Sequence, residues 1–272
     1  MNVRLLCRLY GVSRSGFYAW RVRGRSAHRE YDHLLMGAIR ELHQGYQRNY
    51  GARRVHQVLR SKGLSCSVRR VNRLMREMGI KARTTGLYPW RPGQHAFFSS
   101  TGNQLAKAPP ARQVREQWAG DYTYIKTQDG FVYHAVVMDL YSRRIIGWSF
   151  ARKRDSELTK SALKLALHRH EPSQGCLFHS DQGIEYAAHD YHDLLKAAGM
   201  VRSMSRKATP QDNAMVESFF HTLKAELVHK RHFKNVYEAV AHVSEYITFY
   251  NQERLHSSLG YQSPENYEKL CA

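Results

Sequence analysis

Two acidic residues in a single stretch, from Cys176 to Lys224, restrict this chain more than any other feature. In Cys176-Leu-Phe-His-Ser-Asp-Gln-Gly183 a short apolar run reads as a buried strand, Asp181 stands where the strand ends, and a glycine turns the chain. Further on, Asp212-Asn-Ala-Met-Val-Glu-Ser-Phe-Phe-His-Thr-Leu-Lys224 reads as a helix whose start is marked by Thr209, Pro210 and Asp212 in a capping-box arrangement. On that helix Asn213, Glu217, His221 and Lys224 fall at helical spacing on one polar face. Between Asp181 and Glu217 lie 35 residues.

A strand-end carboxylate and a helix carboxylate are hard oxygen donors, the kind Mg²⁺ takes while keeping waters that phosphate oxygens can replace. Two such ions need a third carboxylate to share. Asp121 is the candidate, in Trp118-Ala-Gly-Asp-Tyr-Thr-Tyr-Ile125, early on the first strand of a mixed sheet. Taken singly, each acid reads as an ordinary solvated or capping carboxylate. It is the trio that points to metal-dependent phosphoryl transfer. Asp139, before Tyr141-Ser-Arg143, is the rival acid and reads as a turn cap.

The same residues carry a resemblance. Trp118 with Asp121, His179-Ser-Asp181-Gln-Gly, and Asp212-Asn-Ala followed by Glu217-Ser-Phe-Phe and Lys224 resemble the Asp-Asp-35-Glu core of retroviral integrases and bacterial insertion-sequence transposases. The chain is most similar to the second-frame (OrfB-type) transposases, and its tail, Phe249-Tyr-Asn-Gln-Glu-Arg-Leu-His-Ser-Ser-Leu-Gly-Tyr-Gln-Ser-Pro-Glu-Asn-Tyr267, looks like that family's ending. Ala208-Thr209 and Gln211 depart from the Gly-Asn and Tyr common ahead of the helix.

The resemblance implies an α/β ribonuclease-H-like catalytic core, a five-stranded mixed sheet with flanking helices. It also implies a DNA transposase that nicks at the ends of its element and transfers the freed 3′-hydroxyl to another phosphate. Two Mg²⁺ ions, about 3.5–4 Å apart in such sites, stabilise the entering and leaving oxygens of the in-line displacement. By resemblance Asp121 bridges them, Asp181 completes one coordination set and Glu217 the other, with Mn²⁺ an expected substitute. Lys224 resembles the lysine that touches DNA near the active site of integrases; the other reading is a surface lysine. The implied partners are the terminal inverted repeats of the element, target DNA, further copies of the chain on DNA and an upstream-frame protein, free or fused. A nuclease of the same fold that only hydrolyses, a non-enzymatic DNA-binding regulator and an inactive remnant of a mobile element are the competing readings.

Charge supports a division of labour. Residues 1–115 hold 23 Lys and Arg against Glu30, Asp32, Glu41 and Glu77, whereas residues 116–272 hold 19 of each sign. All the net charge of +19 therefore lies in the first part, as expected of a nucleic-acid-binding arm joined to a neutral catalytic body. Cys7, Cys66, Cys176 and Cys271 form no C-x-x-C pair, which argues against structural zinc and a disulfide framework and fits a reducing cytosol. The isolated His168-x-His170 reads as surface histidines. No stretch approaches the ~18 apolar residues of a membrane span, and the amino terminus lacks a signal-peptide core, so a cytoplasmic protein without membrane contact is expected, which the resemblance implies is in the bacterial cytosol and nucleoid-associated.

Residues 1–30 are compatible with a short helix-turn-helix segment in which Gly11 turns the chain, Ser13 caps the second helix, and Phe17 and Trp20 pack back. Residues 31–83 make the better case for a helix-turn-helix DNA-binding domain. Asp32 to Gln44 places Leu34, Leu35, Ala38, Ile39 and Leu42 inward, and Ala52 to Ser61 buries Val55, Val58 and Leu59. Ser67 caps a third helix with Val68, Val71, Leu74, Met75 and Met78 inward, ended by Gly79. Arg69, Arg73 and Arg76 form its other stripe, either a recognition face for a major groove or a solvated basic helix.

Residues 84–117, with Pro89, Pro92, Pro109 and Pro110, read as a linker with short ordered patches at Tyr88-Pro-Trp90 and Phe97-Phe98. Residues 118–272 form the core. Its strands are expected at Trp118–Lys126, Phe131–Leu140, Arg144–Phe150, Leu177–His179 and Val201–Met204, with a first turn at Asp129-Gly130. Helices are expected at Ser156–His170, with Leu158, Ala162, Leu165 and Ala166 inward, at Tyr186–Ala198, around Glu217, and at Val236–Asn251. The pattern by itself justifies only α/β. His179 reads equally as a substrate contact and as a packed strand-end histidine; Asn251, Arg254 and His256 divide in the same way between DNA contact and packing.

Overall fold

Apolar residues at helical spacing build the first part of the chain, and alternation builds the second. The computed structural model describes residues 2–22, 27–83, 103–181, 184–205 and 213–271, in two units, 1–85 and 86–272. The expectations placed on Tyr88 to Trp90, Phe97-Phe98 and Thr209 to Asp212 lie outside the described residues.

In the first unit α1 (Val3–Leu9) and α2 (Arg14–Val22) flank a turn at Gly11, whose φ of +63° suits glycine. The Ser13 hydroxyl accepts from the Gly16 amide at 2.9 Å. Trp20, expected to pack back, is 69% exposed, and Phe17 is only half-buried. Two helices this short enclose little volume, and Cys7 is the one residue they bury.

Three longer helices, α3 (Ala27–Gly45), α4 (Ala52–Ser61) and α5 (Val68–Glu77), bury Leu35, Ile39, Leu42, Val55, Val58, Leu59, Val71, Leu74 and Met75. Each fully buried aliphatic contributes about 1.5–3 kcal/mol. Leu34 and Val68, expected inward, are exposed. Leu34 is turned off the Leu35–Ile39–Leu42 stripe by one residue, and Val68 opens α5 before the helices meet. Asp32 staples α3 to α5, accepting from Arg70 Nε at 2.7 Å and Arg73 Nη2 at 2.8 Å.

The second unit begins with α6 (Gln104–Lys107), capped by Asn103. Part of the stretch expected as linker belongs to the core: Asn103 is buried, and the Leu105 amide donates to Ser203 Oγ at 3.0 Å. Five strands follow, β1 (Gln117–Thr127), β2 (Gly130–Asp139), β3 (Ile145–Ala151), β4 (Leu177–Ser180) and β5 (Val201–Met204), in the order β3-β2-β1-β4-β5. The hairpin pairs β1-β2 and β2-β3 are antiparallel, whereas β1-β4 and β4-β5 are parallel. The parallel pairs need helical crossovers, supplied by α7 (Ser156–Arg169) and by α8 (Ile184–Ala187) with α9 (His189–Ala197). A single helix was expected over Tyr186–Ala198; the chain instead breaks at Ala188, which is extended.

Alternation along the strands divides the core in two. Ala119, Ile125, Val132, Val136 and Met138 face α10 (Ala214–Glu226) and α11 (Val236–Gln252), while Trp118, Ala135, Val137 and Phe178 face α7 and α9. Leu163 is buried in α7, and Leu165, expected inward, is half-buried. At Gly147 the sheet touches α7 so closely that an added Cβ would meet the Ala162 carbonyl at 2.2 Å. The chain ends in α12 (Pro264–Cys271), held by Arg144, which pairs with Glu265 at 2.9 Å and Glu268 at 2.7 Å. Among the described residues no helix is long and apolar enough to cross a membrane.

Candidate active site

The register of β1 and β4 positions the first two acids. Gln117, Trp118 and Ala119 lie beside Leu177, Phe178 and His179 in parallel, so the same register carried two residues further sets Asp181 abreast of Asp121. Neighbouring strands are about 4.8 Å apart. Gly120, next to Asp121 on β1, has no room for a side chain: an added Cβ would meet Phe178 Cζ at 2.7 Å.

The third acid arrives on α10, which forms because Val216, Phe219, Phe220 and Leu223 recur at helical spacing and are buried against the sheet. Its start is tied to β1 by Asn213, whose buried Nδ2 donates to the Gly120 carbonyl at 3.2 Å. Glu217 follows one turn later and is exposed, and Lys224 lies two turns beyond it.

These groups interact. Burial raises the Asp121 carboxyl to about 7, and the charges of Asp181 and Glu217 add to that rise; the Tyr122 amide, donating to Oδ1 at 2.8 Å, and the Lys224 ammonium oppose it. Part of the Asp121 residue reaches the surface, yet surrounding protein screens its carboxylate from water. Burial and the charge of Asp181 raise Glu217 as well. A neighbouring like charge disfavours the ionised form of a carboxyl, and a cation relieves that effect. Among the described residues no three Asp, Glu, His or Cys side chains form a closed ligand set. The acids are electrostatic neighbours, and Glu217 remains in solvent.

The surroundings contain residues that sequence reasoning did not single out. Lys224 Nζ lies 5.3 Å from the centre of the Tyr124 ring, and Tyr124 meets Phe131 edge-on at 5.5 Å. Two residues back along β1, Arg154 lies 5.2 Å from the Tyr122 ring and pairs with the buried Glu185. Burial, with Glu185 next, pushes the Tyr122 hydroxyl up to about 12. The alternation Tyr122-Thr-Tyr124 on an acid-bearing strand was the only available signal.

Other candidates are placed elsewhere. His179 is fully buried, with Nδ1 2.9 Å from Ser203 Oγ and Nε2 2.9 Å from Ser205 Oγ, so it is a packed histidine. Asp139 caps its turn, accepting from the amides of Tyr141 at 3.0 Å, Ser142 at 3.2 Å and Arg115 at 2.6 Å. The tail residues pack. Asn251 brackets Ile145 by accepting from its amide and donating to its carbonyl, both at 2.9 Å, and Arg254 grips the buried Glu226 at 2.8 Å. His256 is buried against Tyr250.

In the first unit Arg69, Arg73 and Arg76 are all exposed on α5, but Arg73 is engaged by Asp32 and by Glu77 at 2.6 Å. Burial pushes the Asp32 carboxyl up, and the guanidiniums of Arg73 and Arg70 outweigh it, holding the group below its usual range.

Comparison with known proteins agrees with this fold. The family described as "Integrase core domain" matches residues 111–210 and, in a second form, 198–264; the "HTH-like domain" family matches residues 30–86. The transposase for insertion sequence element IS904 of Lactococcus lactis subsp. lactis is 37% identical over 87% of this chain and 94% of its own length. Transposase InsF for insertion sequence IS3A of Escherichia coli K12 is 36% identical over 98% of this chain and 94% of its own. A chain of the simian T-cell lymphotropic virus intasome in complex with PP2A regulatory subunit B56 gamma shares the fold, with a TM-score of 0.51, 16% identity and coverage of 84% of this chain and 73% of that one. The chain belongs to the insertion-sequence transposases of the retroviral-integrase-like superfamily, and is a DDE-type transposase.

Proposed function

We propose that Asp121, Asp181 and Glu217 are the catalytic and metal-binding residues of this transposase, nicking DNA at the element's terminal inverted repeats and joining the freed 3′-hydroxyl to target DNA. Two features support this reading: the β1-β4 register that, carried on, sets Asp181 abreast of Asp121, and the charges of Asp181 and Glu217 that add to the burial pushing the Asp121 carboxyl up to about 7. An oxygen-donor set with unrelieved like-charge repulsion fits Mg²⁺ or Mn²⁺. Bound there, two such ions would supply charge neutralisation at the entering and leaving oxygens. Asp121 is backed by the β1-β2 ladder, and Glu217 stands exposed in the first turn of α10. Lys224 adds a point charge for a phosphate near the cut.

Residues 31–83 serve as the end-recognition domain through Arg69, Arg76 and a partly committed Arg73, residues 84–117 connect it, and residues 118–272 form the catalytic core. The working enzyme assembles as an oligomer on DNA in the bacterial cytosol and nucleoid, with an upstream-frame protein fused or alongside. The test is nicking and joining of labelled element ends, with and without that partner, by the wild type, Asp121→Asn, Asp181→Asn and Glu217→Gln. Each substitution is expected to abolish both steps and to leave DNA binding largely intact. Full activity in a chelator, or near-normal activity of any variant, overturns the assignment, and hydrolysis without joining of pre-cleaved ends would reduce the protein to a nuclease.

A further inference from the structure

Tyr124 stands three residues beyond Asp121 on β1, and 57% of its surface is exposed with its neighbours in place. Phe131, on the facing strand, is 48% exposed and meets the ring at 85° between planes. Aromatic side chains usually bury most of their area, so two half-open rings in contact form a small apolar patch. The fold buries its other tyrosine here more fully: Tyr122 packs against the α7–α9 side of the core. Cross-strand pairing alone accounts for the Tyr124–Phe131 contact, because such pairs stabilise hairpins. It does not account for Lys224, which comes from α10 to place its ammonium 5.3 Å from the ring centre. The same ammonium acts on the Asp121 carboxylate. Asp121 and Tyr124 project to opposite faces of β1, and Lys224 interacts with both, along the side of β1 whose pairing with β4 runs from Gln117 to Ala119.

We propose that Tyr124 is a stacking platform for an unpaired nucleobase of the DNA strand whose phosphate lies at Asp121, with Phe131 buttressing the ring and Lys224 neutralising an adjoining phosphate. The inference rests on the transposase reading. At a cleaved end the terminal pairs can open, and a base that leaves its stack loses that contact. An aromatic face beside a cation replaces the lost stacking with little regard to sequence. The ring is what matters here, and the hydroxyl is dispensable.

The experiment uses the full chain and a pre-cleaved duplex of the element's own end, carrying 2-aminopurine next to the 3′-hydroxyl. Fluorescence is read in Ca²⁺ and joining in Mg²⁺. Wild type and Tyr124→Phe are expected to quench the probe and to join within about twofold of each other. Tyr124→Ala, and Tyr124→Leu, which keeps an apolar contact with Phe131 but no π-face, are expected to lose the protein-induced quenching and to reduce joining by about 5- to 150-fold. Their thermal midpoints are expected to match wild type. Quenching and joining at wild-type level in the Leu variant overturns the inference, as does a loss shared by the Phe variant. If wild type neither nicks nor joins in Mg²⁺, the transposase reading fails separately, and the fluorescence contrast still decides the stacking.

Discussion

His134 shows how a single side chain ties the core to pH. It is fully buried on β2, its Nδ1 donates to the Ser149 carbonyl at 3.1 Å, and its ring stacks on Phe150 at 4.4 Å; Nε2 has no partner. Burial pushes its pKa down to about 4. The unfolded chain binds a proton there near pH 6.5 and the folded chain does not until about pH 4, so the contribution to stability is full above pH 6.5 and is lost as pH falls toward 4. The loss is on the order of 3 kcal/mol. Urea unfolding of wild type and His134→Phe between pH 7 and 4 is expected to show a steep decline in the first and a shallower one in the second. Lys224 makes a different kind of contribution. Lys224→Ala is expected to weaken binding to end DNA and reduce joining while retaining some metal-dependent nicking, because in the proposed function the residue positions the strand and leaves the chemistry to the acids. Complete loss of nicking on one labelled end at saturating protein would place Lys224 in the chemical step.

At the scale of elements, α5 separates two roles that look alike in the sequence. Arg69, Arg73 and Arg76 have the spacing of a recognition face, yet Arg73 is committed to Asp32 and Glu77, so Arg69 and Arg76 are the cations left for phosphate. Replacing those two with Ala in the full chain is expected to reduce the slope of log affinity against log salt by about 2 and to leave the thermal midpoint unchanged. Arg73→Ala is expected to lower the midpoint, because it strips one of two guanidiniums from the carboxylate that joins α3 to α5. An unchanged salt slope in the double variant would remove α5 from the DNA interface. The tail makes the same point about elements. Asn251, Arg254 and His256 looked equally suited to DNA or to packing, and packing takes all three because α11 closes over the edge of β3 and the end of α10.

For the whole molecule, the acids connect stability to metal. With Asp121 raised to about 7, the metal-free fold is progressively disfavoured as pH rises from about 4 to 7, since the ionised carboxylate is better solvated in the unfolded chain. A divalent cation at the proposed site would reverse that penalty, so at pH 8 added Mg²⁺ is expected to raise the thermal midpoint. The rise should shrink below pH 7 as protons compete, and should be absent in Asp121→Asn. An identical rise in the Asn variant would place the cation elsewhere.

Much of this arrangement was legible beforehand because it is written in local patterns. Strand alternation, the crossover helix after Ser156 and the apolar stripe of α10 follow from residue periodicity, and the three acids are candidates on their motifs and spacing alone. Other features needed the folded chain. Leu34 and Val68 are apolar at plausible positions, and only the helix crossings decide that they face water. Asn103 lies in a stretch that reads as linker, and it is buried because Ser203, a hundred residues on, supplies its partner. Spacing along a chain shows which residues share a face of one element. Which residues meet across elements, such as Tyr124 and Lys224 or Asn213 and Gly120, depends on sheet register and helix placement, and those are set by packing across the whole domain.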